Sequence, residues 1–417
     1  MKLLILGSGL LGVTAAYELG KRGYDVTVLD RNPESARETS FANGGQLSYS
    51  HAEPWASPTV LPKLPKWIGR DDAPLVFKPR ADWQMIRWGV RFLRNCTAKR
   101  ADINCVNLLR LGLYSRKKMK ALREESGVAF DFGKTGILHI YTAESDFEHA
   151  KKQLEFQAKF GCSQTILTKQ QVYALEPALA HSDRVVVGGI HATEDETGDP
   201  FLFCNALADV AAKRYGVQFK YGVTIDKINT GGGKTLSVST DRGEMTADGY
   251  VMAMGSYSAP VLRAIGIDVP IYPMKGYSVT IEADDYCPKL SLTDGTHKIV
   301  YSRLGNRLRI AGTAEFAGYN QSLNEKRIGN IVTAARKLFP KANWDNEILK
   351  WACLRPSTPD GPPIIGPTPY PNLFLNTGHG TLGWTQAAGS AALVADAIER
   401  KTPEILVQGL TLERFLP

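Results

Sequence analysis

The chain has 417 residues, enough for two or three domain-sized cores, and its 43% hydrophobic and 22% charged residues are ordinary for a water-soluble globular enzyme. Its 50 Lys+Arg against 42 Asp+Glu give a formal charge of +8. That bias fits a solvated basic surface, or attraction to an anionic membrane or acidic partner; without a finger, ribonucleoprotein or basic-helix motif it does not fit nucleic-acid recognition.

The chain opens on a βαβ pattern. Residues 2–6 are a short apolar run expected as a buried strand, 10–22 a helix that Gly23 can stop, and Asp25–Asp30 a second strand. Met1-Lys2 and the apolar residues to Ala16 have the outline of a secretion signal, but Gly7, Gly9 and Gly12 break the run and Ala16-Tyr17-Glu18 is a poor cleavage site. From Glu53 to Arg80 the texture changes: Pro54, Pro58, Pro62, Pro65, Pro74 and Pro79, with Trp55 and Trp67 between them, forbid a long helix or central strand, so an irregular surface excursion is expected. Helices are expected at 81–98 (with Trp83, Ile86, Trp88, Val90, Phe92 and Leu93 among arginines), 102–125, 145–160, 168–176 and 203–215. Strands follow at 217–229, 235–241 and 247–253, then an antiparallel set at 271–282, 298–303 and 307–313, a helix at 325–339, a strand at 372–375 and an Ala-rich helix at 385–399. No later stretch reaches about 18 uninterrupted apolar residues, so no transmembrane helix is expected. The six cysteines, at 96, 105, 162, 204, 287 and 353, form no CxxC pair and have no His cluster beside them. Neither a disulfide framework nor a metal site is expected, and isolated thiols fit a reducing, cytoplasmic compartment.

Four segments carry chemistry. Gly7-Ser8-Gly9-Leu10-Leu11-Gly12 follows a strand and opens a helix, and Asp30 ends the next strand 18 residues beyond Gly12. The glycines permit a tight turn, close approach of a pyrophosphate and close helix packing, while an acidic residue at that place bonds a ribose. A nicotinamide dehydrogenase would continue βαβαβ at once; here the Pro/Trp excursion intrudes and nucleotide-fold texture resumes near 200–260, a layout that favours FAD over NAD. Thr39–Gln46 (TSFANGGQ) suits backbone contact with a cofactor tail, or else a plain Asn-Gly turn. Leu354–Gly366 (LRPSTPDGPPIIG) holds Arg355 in what its four prolines make a stiff loop; that guanidinium is suited to a substrate carboxylate, or else pairs with Asp360. Asn376–Thr385 (NTGHGTLGWT) places small residues at a helix N-terminus, able to stabilise negative charge on a flavin ring, with His379 read as structural.

These motifs, with EPWASP (53–58), EDETGDP (194–200), YVMAMGSYS (250–258) and YPMKGYS (272–278), resemble the D-amino-acid dehydrogenase small-subunit family, within the wider group of D-amino-acid oxidases, glycine oxidases and sarcosine oxidases. The resemblance runs essentially end to end; Gly44-Gly45 departs from the Ala-Gly common in relatives. It implies non-covalent FAD and an α/β fold: a discontinuous Rossmann-like FAD-binding domain from 1–52, 192–262 and 351–417, and a substrate domain with a mixed or antiparallel sheet from 53–191 and 263–350. The implied cofactor-binding residues are Gly7, Ser8, Gly9, Leu10, Leu11, Gly12, Asp30, Arg31, Ser40, Gly45, Gln46, Leu47, Val223, Thr224, Gly255, Gly378, Gly380, Thr381, Leu382 and Gly383. Arg355 would anchor the substrate carboxylate, with Tyr277 and Lys275 near the flavin over the substrate.

The implied reaction passes the Cα hydrogen of a D-amino acid as hydride to flavin N5, after which the imine hydrolyses to a 2-oxo acid and ammonia. No protein general base is expected; His51, His191 and His379 lie near motif segments without an identifiable partner. The implied electron acceptor is a quinone or respiratory carrier, and the aromatic and arginine residues of 54–98 suit either a peripheral membrane contact or a lid on the substrate domain. Oxidation of glycine, sarcosine or a cyclic imino acid stands as the alternative within enzymes. A non-catalytic flavin-binding subunit is the alternative of another class, against which a carboxylate clamp argues; a nicotinamide-dependent dehydrogenase is the third.

Overall fold

A computed structural model describes residues 1–67, 75–78 and 80–416. The expected loop prolines Pro74 and Pro79, and the side chain of Trp67, lie outside the described residues.

The strand Lys2–Leu6 is buried on both sides, which is why its sequence is a continuous apolar run. Leu3 and Ile5 pack with Val13, Val26 and Ala391 in one core, whereas Leu4 and Leu6 pack with Leu29, Val238 and Tyr250 in another. It lies in a six-stranded sheet ordered Ile364–Pro367, Leu373–Thr377, Gly249–Met252, Lys2–Leu6, Asp25–Asp30, Gln218–Tyr221. All neighbours are parallel except the edge pair Ile364–Pro367 and Leu373–Thr377. The helices Leu10–Lys21, Pro200–Tyr215 and Gly383–Glu399 contribute to the first core. On the second side lies a three-stranded antiparallel sheet, Ile225–Gly231, Lys234–Thr240 and Gly243–Met245. The expected single strand 217–229 is therefore two: Gly222 at φ +63° breaks it, sending one half to each sheet.

A second sheet of nine strands runs Glu347–Ser357, Tyr272–Glu282, Arg307–Phe316, Ile299–Leu304, Ser291–Asp294, Ile137–Tyr141, Gly188–Ala192, Thr165–Thr168, with Leu75–Phe77 paired to the end of Arg307–Phe316. It is mixed: the pairs Ser291–Asp294/Ile137–Tyr141 and Arg307–Phe316/Leu75–Phe77 are parallel and the rest antiparallel. The helix Glu325–Leu338 covers one face, burying Ile328 and Ile331 against Tyr277, Val279, Ile281 and Ile310.

The expected 53–191 segment divides between the two sheets. Its strands Ile137–Tyr141 and Gly188–Ala192 join the nine-stranded sheet, but its helix Ala98–Ser126 lies along Gly383–Glu399. The crossing is close enough that a Cβ on Gly389 would meet Ser115 at 3.0 Å, and Ser115 Oγ accepts the Gly389 N–H. The boundary expected at residue 53 does not follow this packing. Helix Ala98–Ser126 also begins earlier than its apolar pattern suggests because Thr97 caps it, its hydroxyl accepting from Arg100 N–H.

The two sheets are tied by residues 39–50. Thr39 Oγ1 donates to Leu354 O, Ser278 Oγ to Ala42 O, Ser302 Oγ to Gly44 O, and Arg309 Nη1 to Asn43 O. Gln46–Leu47 pairs with Glu196–Thr197, and Ser50 donates through both N–H and Oγ to Asp195 Oδ1. The EDETGDP motif is thus a structural clamp: Asp195 holds Ser50, Glu196 takes the Tyr49 hydroxyl and Arg123, and Asp199 caps the following helix. Burial, outweighing the Ser50 bonds, pushes the Asp195 carboxyl from 3.8 up to about 7. A raised acid favours the fold fully below its unfolded value and loses that contribution as pH rises through its folded value. The melting temperature of the native chain is therefore expected to fall, relative to that of Asp195→Asn, as pH rises from 3.8 to about 7; parallel pH profiles in scanning calorimetry would refute the assignment.

Candidate active site

The site is built around the first turn. Gly7 has φ +104° and its N–H donates to Leu29 O at 2.8 Å; a Cβ there would lie 2.7 Å from Ala253 O. A Cβ on Gly12 would fall 1.9 Å from Gly7 O, so helix and strand meet at backbone contact. Gly9 differs: its Cβ position meets only Ser40 Oγ, at 3.7 Å, leaving an open cradle. Gly9 caps the helix Leu10–Lys21 with no side-chain bond, and Ser40 Oγ accepts from Leu10 N–H. The helix Gly383–Glu399 likewise starts from Leu382 without a side-chain cap, and a Cβ on Gly383 would touch Leu11 Cδ2 at 3.6 Å. Two helix N-termini whose own N-cap residues make no side-chain bond thus adjoin, the arrangement that binds phosphate and stabilises negative charge. This fits the diphosphate and flavin of FAD.

The other expected cofactor residues fall into two groups. Asp30 accepts from Ser8 N–H at 2.7 Å and from the Asn32 N–H and side chain at 2.9 and 3.0 Å. A carboxylate offers about four acceptor sites, so one remains for a ribose. Val223 N–H donates to Asp30 O, placing Val223 and Thr224 beside that strand end. Gly255, Gly378 and Gly380 have φ of +54°, +81° and +52°, and Gly380 N–H donates to Pro356 O, bringing the third and fourth motifs together. Arg31 is held by Glu38 and lies over the Tyr257 ring at 4.4 Å. Gln46 spends its carboxamide on Ser291 and Thr293, and Leu47 is buried, so both act as a strap between sheets. Gly45, at φ +75°, forms the turn before them.

Arg355 requires a correction of element. It lies on the strand Glu347–Ser357, not in a loop, directly opposite Met274. The prolines around it misled: Pro356 faces Pro273 near the strand's end, where neither missing N–H prevents pairing. Its guanidinium lies flat over Gly276, where a Cβ would come within 2.3 Å, and Nη1 donates to Thr313 O at 3.1 Å. Thr313 has φ +57° and sits in the irregular part of its strand. Asp360 does not pair with Arg355; Arg414 takes it at 2.7 Å. Among the described residues Arg355 has no carboxylate partner, and burial pulls its pKa below the ordinary value. A part-buried guanidinium without a carboxylate partner among the described residues is poised for an anionic ligand.

Tyr277 and Lys275 are a second correction. Met274, Gly276 and Ser278 share a face with Trp351, Cys353 and Arg355, so Lys275 and Tyr277 project from the opposite face. There the Tyr277 hydroxyl donates to Glu315 Oε2 at 2.7 Å, while Lys275 Nζ lies 3.7 Å from Glu315 and donates to Ser322 O. Arg327 approaches the same carboxylate at 3.6 Å from the covering helix. Burial resists ionisation of Glu315, yet the Tyr277 hydroxyl with the Lys275 and Lys78 charges holds its pKa below the ordinary range. This is a buried ionic cluster under a helix, away from Arg355.

A small apolar cavity of about 30 Å³ adjoins the Arg355 strand. Met274, Phe316, Trp55, Trp88, Ser357 and residues 379–382 line it, with Glu53 on the same wall. The Pro/Trp segment is thus partly wall and not simply a surface excursion: Trp88 is buried, stacks on Phe92 and donates Nε1–H to Ser357 O. His379 is bonded to Ser390 Oγ at 2.8 Å and burial takes its pKa down to about 3, so it is neutral. The His51 ring lies tilted against His139 at 5.0 Å, and His191 meets Thr135 O. Reading the sequence missed Met274 and Glu53; the alternation of YPMKGYS and the lone acid of EPWASP were their only signals.

A family model described as FAD dependent oxidoreductase, DAO, matches residues 2–397. The chain is 47% identical to a D-amino acid dehydrogenase of Dechloromonas aromatica, over 97% of this chain and 98% of that protein. It is 46% identical to a D-amino acid dehydrogenase of Paramagnetospirillum magneticum, over 100% and 99%. Among solved structures, glycine oxidase from Geobacillus kaustophilus superimposes with a TM-score of 0.80 at 22% identity, over 100% of this chain and 99% of that one, a likeness of fold.

The placement of Tyr277 has a direct test. Tyr277→Phe removes a buried hydrogen bond to a charged group, a loss of about 1–3 kcal/mol. Its melting temperature is expected to drop while the rate at which an amino acid bleaches the flavin stays at the native value; a large loss of rate with unchanged stability would return Tyr277 to the active site.

Proposed function

The chain belongs to the DAO family of FAD-dependent oxidoreductases, and from that premise we propose that it oxidises the Cα–N bond of D-amino acids, D-alanine among them, releasing a 2-oxo acid and ammonia. The observation that carries this reading is Arg355, a part-buried guanidinium with no carboxylate partner among the described residues, on a strand beside an apolar cavity. The full-length likeness to proteins named D-amino acid dehydrogenase supports the substrate class.

In this reading the six-stranded sheet, with residues 7–12, Asp30, Ser40, 223–224, Gly255 and 378–383, holds FAD, and the nine-stranded sheet covers the substrate. Bound flavin supplies the hydride acceptor. Arg355 pairs with the substrate carboxylate and Gly276 lets that guanidinium lie flat, so the amino acid is fixed in one orientation. The N-terminus of Gly383–Glu399 favours negative charge beside it, and Trp55, Trp88, Met274 and Phe316 exclude water. Glycine, sarcosine and cyclic imino acids carry the same carboxylate and are the competing substrates.

For the electron acceptor we propose a membrane quinone or respiratory carrier, reached by peripheral contact with the anionic inner face of a bilayer. The helix Trp83–Asn95 supports this: Trp83, Ile86, Val90 and Leu93 form an exposed apolar stripe, with Arg94, Lys99 and Arg100 exposed nearby. Among the described residues no helix is long and apolar enough to cross a membrane. Trp88 belongs to the cavity wall and takes no part in such a contact.

Two experiments test these readings. Arg355→Ala is expected to stay yellow and fold, while kcat/KM for D-alanine falls by the equivalent of about 2–5 kcal/mol, mostly through KM; native kinetics would remove Arg355 from the site. The double substitution Trp83→Ser, Leu93→Ser is expected to abolish co-sedimentation with vesicles containing anionic lipid while leaving anaerobic flavin bleaching by D-alanine intact. Unchanged co-sedimentation would sink the membrane contact.

A further inference from the structure

The motif EPWASP supplies Trp55 to the cavity wall, and its first residue has no role in the reading above. Glu53 lines the apolar cavity together with Trp55, Met274 and Ser357. Met274 is the cross-strand partner of Arg355 and Ser357 lies two residues beyond it, so strand positions next to Arg355 share that wall with Glu53. The other ionisable residue of that wall, His379, is neutral and bonded to Ser390. Glu53 is therefore the one charged side chain among the described wall residues. Its Oε1 meets His149 Nε2 at 3.1 Å, and His149, on the helix Glu144–Ala158, is about two-fifths exposed. A carboxylate in an apolar, aromatic recess costs solvation unless it serves a cation.

Resting on the dehydrogenase reading, we infer that Glu53 receives the ammonium group of the substrate, opposite the carboxylate held by Arg355. Its charge state is suited to this. Burial resists ionisation, but His149, Lys298 and His51 outweigh it and keep the carboxylate charged. Cys105 and Tyr141 also face it, both with pKa values raised by burial and hence neutral. Where the group bound is the α-ammonium, Glu53 takes one of its protons, the nitrogen keeps the electron pair of that N–H bond, and the neutral amine results. The proton then passes along the Glu53–His149 hydrogen bond towards solvent. A bare recess with Arg355 alone would accept any carboxylate; the added negative charge selects amino acids over hydroxy and keto acids.

The test uses holoenzyme and Glu53→Gln, which keeps size and can still bond His149. Each is mixed anaerobically with D-alanine and, separately, with D-lysine while flavin absorbance is followed; benzoate, a carboxylate without ammonium, is titrated in parallel by its perturbation of the flavin spectrum. Glu53→Gln is expected to melt at the native temperature and bind benzoate at least as tightly as the native protein. Bleaching by D-alanine should slow at least about 30-fold near neutral pH, as for loss of a charge-assisted contact. The gap should close as pH rises through the amine's own pKa, because a neutral amine needs no carboxylate. Slowing confined to D-lysine would assign the contact to a side-chain ammonium instead. Glu53→Asp, which keeps the charge, should restore most of the lost rate; a rate as low as that of the Gln variant would mean a structural role. Native rates for Glu53→Gln with both amino acids overturn the inference and leave Arg355 untouched. Failure of every amino acid to bleach the native protein overturns the dehydrogenase reading, and this one with it.

Discussion

The contact on which the rest depends is backbone against backbone at Gly7 and Gly12. Helix Leu10–Lys21 approaches its own strand so closely that no side chain fits at either position. That approach aims the first helix N-terminus across the carboxyl ends of the parallel strands, the crevice where open α/β sheets bind ligands. It also brings Leu11 against Gly383 and so sets a second helix N-terminus beside the first. The strap 39–50 then crosses to the nine-stranded sheet through Thr39, Ala42, Gly44 and Gln46. The position of Arg355 relative to the crevice follows from that sequence of contacts.

Strand Tyr272–Glu282 shows how one element separates two tasks. Its pleat sends Met274, Gly276 and Ser278 toward the strap and Arg355, and Lys275, Tyr277 and Val279 under the helix Glu325–Leu338. The residues left small or apolar on the first face allow a guanidinium to lie flat and uncompensated. The charged residues on the second face are gathered on Glu315, where they neutralise one another. Keeping these charges on opposite sides leaves Arg355 without a carboxylate partner among the described residues. Asp360, the nearest carboxylate in sequence, is removed by Arg414 from the far end of the chain.

The parts legible in the sequence were those whose cause is local. The turn Gly7–Gly12 announces itself because a missing Cβ, a preceding apolar strand and a following helix lie within about a dozen residues. The long helices and the paired strands 272–282 and 307–316 were visible through periodicity. The role of a charged or polar residue inside a strand was not. Lys275, Tyr277 and Arg355 all sit in motifs, and only the register between strands decides which of them share a face; a shift of one residue reverses the answer. The short strands Ile137–Tyr141, Gly188–Ala192 and Ser291–Asp294 were invisible for a related reason: each is held by neighbours distant in sequence. Trp88 and Trp83 lie five residues apart on one amphipathic helix, and nothing in their spacing shows that one is wall and the other surface.

The resulting electrostatics have a single logic. Most buried charges are compensated in place: Glu315 by Tyr277, Lys275 and Arg327, Asp199 by Arg307 and Arg309, Asp360 by Arg414. Part-buried Arg355 differs from these: among the described residues it has no carboxylate partner and donates to a backbone oxygen of the left-handed Thr313. Glu53 pairs with His149 and lines the cavity beside the Arg355 strand. In the proposed reading a zwitterionic amino acid would balance both groups at once, its carboxylate on Arg355 and its ammonium on Glu53. On that proposal, two charges of opposite sign at either end of otherwise apolar walls would hold a small, highly hydrated molecule in one pose.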